Sequence, residues 1–258
     1  LIIWPILAGL VAGFVLGFLG AGGTVVALPV LLYLAKVRPH LALGTNALGV
    51  SIIALALLAW RVREKSVQFR DGIIFSIPGL VGIYLGARLG LVYPGARLVY
   101  LLGILLFVVA GWIFYLSTQV AKLKPNTKSG SRQPSHGANQ QSRIFRVAAA
   151  AFAIGCAAGF FAIGGGFMIV PGLMLAGGLE LGPAARTALL PIAVFAGLVG
   201  SEYLLAGSVR TDWAAWMVVA GLGGGGAGIW LSNRLSMKIM QRAFGVFLLL
   251  IGCYMIFR

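Results

Sequence analysis

Slid against itself by 142 residues, the chain matches its own second half without a gap. The stretch GFLGAGGTVVALPVLL at 17–32 falls on GFFAIGGGFMIVPGLM at 159–174, pairing Gly17, Phe18, Gly22, Gly23, Pro29 and Leu31 with Gly159, Phe160, Gly164, Gly165, Pro171 and Leu173. At the same offset Ala42, Thr45 and Leu48 fall on Ala184, Thr187 and Leu190, and Ser66 and Val67 fall on Ser208 and Val209. Gly79, Gly82, Gly86 and Leu89 fall on Gly221, Gly224, Gly228 and Leu231, and Gly103 on Gly245. Apolar composition alone produces chance identities, but colinear Gly-Gly and Pro positions do not arise that way. The chain therefore reads as a duplicated structural unit.

The unit belongs in a membrane. Of 258 residues 60% are hydrophobic and 10% charged, against roughly 25% charged in soluble domains, too few to coat a globule in water. A soluble enzyme is excluded on that ground. Mean hydropathy is +1.00, and apolar runs recur near the length a helix needs to cross hydrocarbon. The runs predict helices over 4–20, 24–36, 41–60, 72–92 and 97–117, then over 144–162, 166–179, 184–206, 212–232 and 236–257. Residues 119–143, with Lys122, Lys124, Lys128, Arg132, Ser and Pro, lack apolar periodicity and read as a water-exposed mobile linker. The expected organisation is a first membrane repeat at 1–117, a polar linker at 118–143 and a second repeat at 144–258, an all-α polytopic fold. The apolar start at Leu1 runs straight into the repeated motif, so it is expected to belong to the mature fold with few residues missing ahead of it. Cys156 and Cys253 lie in apolar segments without metal-type spacing and read as small buried hydrophobes.

Five segments per half is an odd number, so the second half begins on the opposite side of the membrane and the repeat is inverted. The first two segments of each half are short and joined by little more than Gly-Gly; they are either full spans or a re-entrant hairpin. Both choices leave later loops on the same sides. One side then collects Arg61, Arg63, Lys65 and Arg70, the cations from Lys122 to Arg146, and Arg186, Arg234, Lys238 and Arg242, about 14 of the 20 Lys and Arg. The other side holds Lys36, Arg38, Arg88, Arg97, Arg210 and Arg258. The positive-inside rule makes the linker side cytoplasmic and places both termini outside. The net charge of +15 is thus a topology signal with anionic lipid headgroups as partners rather than nucleic acid.

Few polar groups remain inside the spans, and they form the functional shortlist. No nucleophile, general base and orienting group come together, no carboxylates pair and no metal-ligand cluster occurs; His40 is placed in a loop and His136 in the linker. Catalysis, metal and cofactor are not expected. At Gly22 and Gly23, and at Gly164, Gly165 and Gly166, one helix ends and another begins within or near the bilayer. Free amides and helix dipoles there suit an anion, while the same glycines also suit a tight turn and close packing. Thr24 opens the first such helix. Thr45 and Thr187 are related by the offset, with Asn46 beside the first and Arg186 beside the second. Hydroxyl, amide and guanidinium donors fit an oxyanion, though Thr in membrane helices commonly bonds its own backbone and Arg186 can snorkel to the interface. Ser51 follows on the same segment. Glu202 is either a proton-coupling carboxylate or an interfacial group beside Tyr203. Pro29, Pro78, Pro171 and Pro191 read as kinks, and Trp4, Trp60, Trp112 and Trp213 as interfacial anchors.

The double motif resembles the TauE/SafE family of sulfite exporters, also called the toluene-sulfonate uptake permeases. The likeness rests on GFLGAGGTVVALPVLL with ALGTNALGVS in the first half, and on GFFAIGGGFMIVPGLM with AARTALLP in the second. It implies an integral plasma-membrane carrier, here of a bacterial inner membrane, for a small sulfur oxyanion such as sulfite or an organosulfonate. The family's glycine motif falls on Gly20, Gly22 and Gly23 and on Gly164, Gly165 and Gly166, and its GTS-like motif on Gly44, Thr45 and Asn46. The departures are Ala21, Thr24 where the second copy has Gly, Asn46 in place of Ser, and Arg186 at the equivalent of Gly44. The expected function is secondary transport by alternating access around a nearly symmetric site. A passive anion channel or a membrane scaffold are the alternatives, and the glycine faces allow a homodimer.

Overall fold

The computed structural model describes residues 2–63, 67–122, 138–164, 166–179 and 181–232, with Arg234, Val246, Leu250 and Cys253. The elements in order are α1 (Ile3–Leu19), α2 (Gly23–Pro29), a π-helical turn (Val30–Leu34), α3 (Pro39–Arg63), α4 (Phe69–Val92), α5 (Gly95–Lys122), α6 (Ala138–Phe160), α7 (Gly166–Leu175), α8 (Leu181–Leu205) and α9 (Thr211–Ser232). Helix ends fall within a few residues of the apolar runs, except around the linker. There α5 runs on to Lys122 and α6 begins at Ala138, because Ala138, Asn139 and Gln140 continue the apolar helix as a polar first turn. The helix expected at 236–257 lies almost wholly outside the described residues.

Among the described residues four helices are long and apolar enough to cross a membrane, within Pro39–Arg63, Phe69–Val92, Gly182–Leu205 and Thr211–Ser232. Their outer faces carry large apolar side chains in the open, such as Ile77, Val81, Leu85 and Leu89 on α4. In water such a stripe would drive association; in hydrocarbon it is the ordinary lipid contact. The chain is a multi-pass membrane protein. Helix α5 lies at the periphery and buries one stripe, Leu98, Leu102 and Leu106, at four-residue spacing.

Glycine sets the packing. A Cβ on Gly9, Gly13 or Gly17 of α1 would overlap the backbone of Met217, Gly221 or Gly225 of α9, in that order, so α1 and α9 run parallel with their backbones touching. Helix α3 follows the same direction, with Gly49, Ile53 and Leu57 against Met217, Gly221 and Gly225. In the other set, Gly82, Gly86 and Gly90 of α4 meet Phe152, Cys156 and Phe160 of α6, and Gly72 and Gly79 of α4 meet Leu190 and Phe195 of α8. Helices α4, α6 and α8 are therefore parallel to one another. The two sets oppose each other where α3 crosses α8: Leu48 lies against Gly200 and Ser51 against Gly197. Ser51 Oγ also donates to the Ala193 carbonyl at 2.9 Å, and these are residues that the 142-residue shift superposes.

The same shift converts one interface into the other. Gly13 on Gly221 becomes Gly155 on Gly79, Gly224 on Leu10 becomes Gly82 on Phe152, and Gly228 on Phe14 becomes Gly86 on Cys156. Each half thus places its first helix in the groove of the other half's fourth. The glycine faces that allow a homodimer on sequence grounds are used within the chain.

Candidate functional site at the glycine turns

Helix α1 ends at Gly20, which takes a left-handed conformation (φ 69°), and Gly22 does the same (φ 83°) before α2 begins. Positive φ is cheap only for glycine. In the second copy Ala162 (φ 53°) and Gly164 (φ 63°) make the equivalent turn ahead of α7, so one of the two left-handed positions there is not glycine. The returning arm Gly23–Leu34 is roughly 18 Å long at about 1.5 Å per residue, too short for the hydrocarbon core. Because α3 again runs parallel to α1, the arm between them must come back toward the face where α1 began. The short pair is a helical hairpin that turns at Gly20–Gly22. Pro29, which lacks an N–H, sits where α-geometry gives way to the π turn.

The two turns meet. Ala21, Gly22, Gly23 and Thr24 are all buried, as are Gly164 and Gly166, and a Cβ built on Gly166 would stand 3.0 Å from the Gly22 nitrogen. Gly23 is tight against the arm it returns along: a Cβ built on it would stand 2.6 Å from the Ala12 carbonyl oxygen and from Leu16 Cγ. Gly165 lies outside the described residues. In α2 the Val25 and Val26 amides already bond the Gly22 carbonyl, so the amides ahead of them, Gly23 and Thr24, are the ones without a carbonyl within the helix.

Two side chains join them. Asn46 Nδ2 donates to the Thr24 carbonyl at 2.8 Å, tying α3 to the start of α2. Both residues are 1% exposed. Yet Asn46 Oδ1 and Thr24 Oγ1 have no hydrogen-bond partner among the described residues. A buried polar atom left without a partner costs roughly 1–3 kcal/mol, and most native proteins avoid it. At the positions related by the shift stand Gly166 and Ala188, which carry no polar side chain. The near-symmetric site expected from the repeat is polar on one side only.

The threonine pair goes elsewhere. Thr45 Oγ1 accepts the Arg210 N–H at 2.9 Å, and Thr187 Oγ1 accepts the Gln68 N–H at 3.1 Å. Each hydroxyl caps the start of the other half's fourth helix, satisfying an amide that has no partner within its own helix. Since α3 and α8 are antiparallel, the two lie at opposite ends. Arg186 is half-buried, next to Ala185, whose backbone borders Gly20. Glu202 pairs with Arg88 at 3.0 Å, its side chain 15% exposed.

Sequence reasoning missed two residues. Arg61, counted among the loop cations, is 7% exposed and donates to the Gly17 carbonyl and to Ser232 Oγ, both at 3.1 Å. It thereby fastens α3 to the last turn of α1 and to the end of α9. His40 is in the first turn of α3 rather than a loop, 6.1 Å from the Tyr203 ring, and its Nδ1 and the Tyr203 hydroxyl are buried without a partner among the described residues. A signal for Arg61 was its place directly after the apolar run ending at Trp60, two residues before Arg63.

Among the described residues no three His, Cys, Asp or Glu side chains cluster as metal ligands. No solved structure gives a significant match to the chain. A probable membrane transporter protein of Xylella fastidiosa (strain Temecula1) is 33% identical over 97% of this chain and 93% of its own length. The probable membrane transporter protein YunE of Bacillus subtilis (strain 168) is 27% identical over 98% of this chain and 96% of its own. Residues 5–255 match the profile of the family described as sulfite exporter TauE/SafE. With the glycine hairpins in place and the match running nearly end to end, the chain belongs to the TauE/SafE sulfite exporter family of membrane transporters.

Proposed function

We propose that this transporter carries a small sulfur oxyanion, sulfite or an organosulfonate, across the bacterial plasma membrane by alternating access. The carrying observation is the pair of unpartnered buried atoms, Thr24 Oγ1 and Asn46 Oδ1, at the start of a helix whose neighbouring turn touches its counterpart. Donors already desolvated there, at the amides of residues 22–24 and of Gly164 and Gly166, lose little on meeting an anion, and Gly165 between the last two belongs to the same proposed set. Thr45 and Thr187 hold the helices that frame the site, and Arg186 supplies positive charge near the Gly20 turn. Rocking of one set of three parallel helices against the other would open the site to each side in turn. The linker is cytoplasmic and both termini face out, an orientation supported by the grouping of cations. Thr45 beside Arg210 marks one end of the bundle, and Thr187 beside Gln68 marks the other.

Flux of labelled sulfite and sulfonate into proteoliposomes tests this reading. A carrier saturates and shows counterflow, whereas linear, uncoupled flux would indicate a channel and absence of flux a scaffold. Reporter fusions at residue 130 and at the C-terminus test the orientation.

A further inference from the structure

The proposal that the site holds a sulfur oxyanion can be taken one step further, to the protonation state of that anion. Asn46 has one permitted orientation: its Nδ2 donates to the Thr24 carbonyl at 2.8 Å, and turned over it would set two acceptors against each other. The atom left buried without a partner is therefore Oδ1, an acceptor only. Beside it Thr24 Oγ1 can donate or accept, and the amides at the turn donate. A fully ionised oxyanion accepts bonds but donates none. It would satisfy Thr24 and the amides while pressing a negative oxygen toward Oδ1, whose burial at 1% exposure keeps solvent from compensating.

We infer that the transported species is an oxyanion still carrying one proton, hydrogensulfite, whose O–H is donated to Asn46 Oδ1 while its other oxygens accept from Thr24 and the turn. Sulfite takes up such a proton near neutral pH; an organosulfonate, the anion of a strong acid, does not. The acceptor is thus a selectivity device between the two candidate substrates. It also admits one negative charge rather than two beside donors, the Thr24 hydroxyl and the turn amides, that are themselves neutral.

The substrate's own titration supplies the pH dependence. Helices α1 and α2 carry no charged or titratable side chain, and the π turn carries only Tyr33. Helix α8 brings Arg186, Tyr203 and Glu202, the last held by Arg88, and α9 begins with Asp212 held by Arg210. Helix α3 itself carries His40, Arg61 and Arg63.

The test is initial uptake of labelled sulfite and of methanesulfonate into proteoliposomes at equal pH on both sides, from about pH 6 to about pH 9. At fixed total sulfite the rate should fall about tenfold for each pH unit above the second pKa of sulfite, the slope of a one-proton equilibrium, with methanesulfonate crossing at under about a tenth of the sulfite rate at low pH. Sulfite uptake independent of pH, methanesulfonate crossing as fast as sulfite, or both rates falling in parallel through titration of the protein would each overturn the inference and leave the carrier reading standing. If neither anion crosses, both fail together. Asn46→Leu should abolish any preference for sulfite over methanesulfonate; a retained preference would also overturn it, and the wild-type measurements decide the matter should that variant not fold.

Discussion

The two halves of the molecule are alike where helices touch and different where chemistry is possible. Under the 142-residue shift the close contacts of Gly13, Gly17, Gly224 and Gly228 between α1 and α9 have their partners in Gly155, Gly159, Gly82 and Gly86 between α6 and α4, while Gly9 on Met217 falls on Ala151 and Phe75, and the Thr45 cap has its partner in Thr187. Polar positions do not follow. Asn46 and Thr24 face Ala188 and Gly166, buried Arg61 corresponds to Tyr203, and the Arg88–Glu202 ion pair corresponds to Trp230 and Trp60. Backbone-to-backbone packing tolerates no side chain, so both copies must keep it. A binding group needs to be present only once. The shared scaffold fixes the helix packing of both halves, and the unshared residues supply the polar groups in which the halves differ.

The largest effects test the likeness. Gly82→Val and Gly224→Val each drive a branched side chain into backbone, of Phe152 and Cys156 in one case and of Leu10 and Phe14 in the other. Overpacking alone costs about 1–3 kcal/mol, and a helix backbone yields less readily than a side chain. Both variants should lose monodisperse protein in detergent, and to the same degree. If one folds normally, the two interfaces are not equivalent. Next comes the difference. Arg61→Leu removes charge-assisted bonds to the Gly17 carbonyl and Ser232, for about 1.5–3 kcal/mol, and should lower the thermal midpoint clearly, with Arg61→Lys intermediate. Tyr203→Phe, at the equivalent position, removes a hydroxyl with no partner among the described residues, so its midpoint should stay within the error of wild type.

How much of this was legible beforehand follows from what each feature depends on. The helices, the repeat and the turns at Gly22 and Gly164 were legible because hydropathy, spacing and glycine encode them locally. That α2 returns along α1 follows from the parallel course of α1 and α3 beside α9, which long-range contacts set and no local pattern encodes. Thr45 and Thr187 were rightly paired, yet the backbone groups they bond, Arg210 and Gln68, come from the opposite half, and no local pattern points there. Arg61 was misread because the positive-inside rule counts charges and does not ask what a carbonyl inside the bundle needs. The asymmetry of the site is written at the offset, where Asn46 falls on Ala188 and Thr24 on Gly166, because a repeat is carried by its identities and a one-sided site by its mismatches.

Smaller effects separate the caps from the binding groups. Thr45→Val and Thr187→Val each strand one backbone amide, at Arg210 or Gln68, for about 0.5–2 kcal/mol. The two should lower the thermal midpoint equally while leaving the sulfite KM within about twofold, less than one lost hydrogen bond would move it. A tenfold rise in KM for either would return that hydroxyl to the binding site.

The smallest effect is expected at the Arg88–Glu202 pair. Arg88 is 62% exposed on its side-chain surface and also lies 5.2 Å over the Tyr84 ring, and exposed ion pairs contribute about 0–1 kcal/mol. Glu202→Gln keeps the shape and a hydrogen-bond acceptor for Arg88 while removing the charge, so stability should barely move. Its value lies in the transport assay. If Glu202 carried a coupled proton, neutralising it would uncouple uptake from an imposed pH gradient while leaving exchange intact. Held as it is by an arginine, it should do neither, and the response to the gradient should match wild type. Loss of gradient-driven uptake with exchange preserved would move Glu202 from a lock at one end of the bundle to the coupling step itself. The asymmetry between the halves would then reach into the energetics of transport as well as the choice of anion.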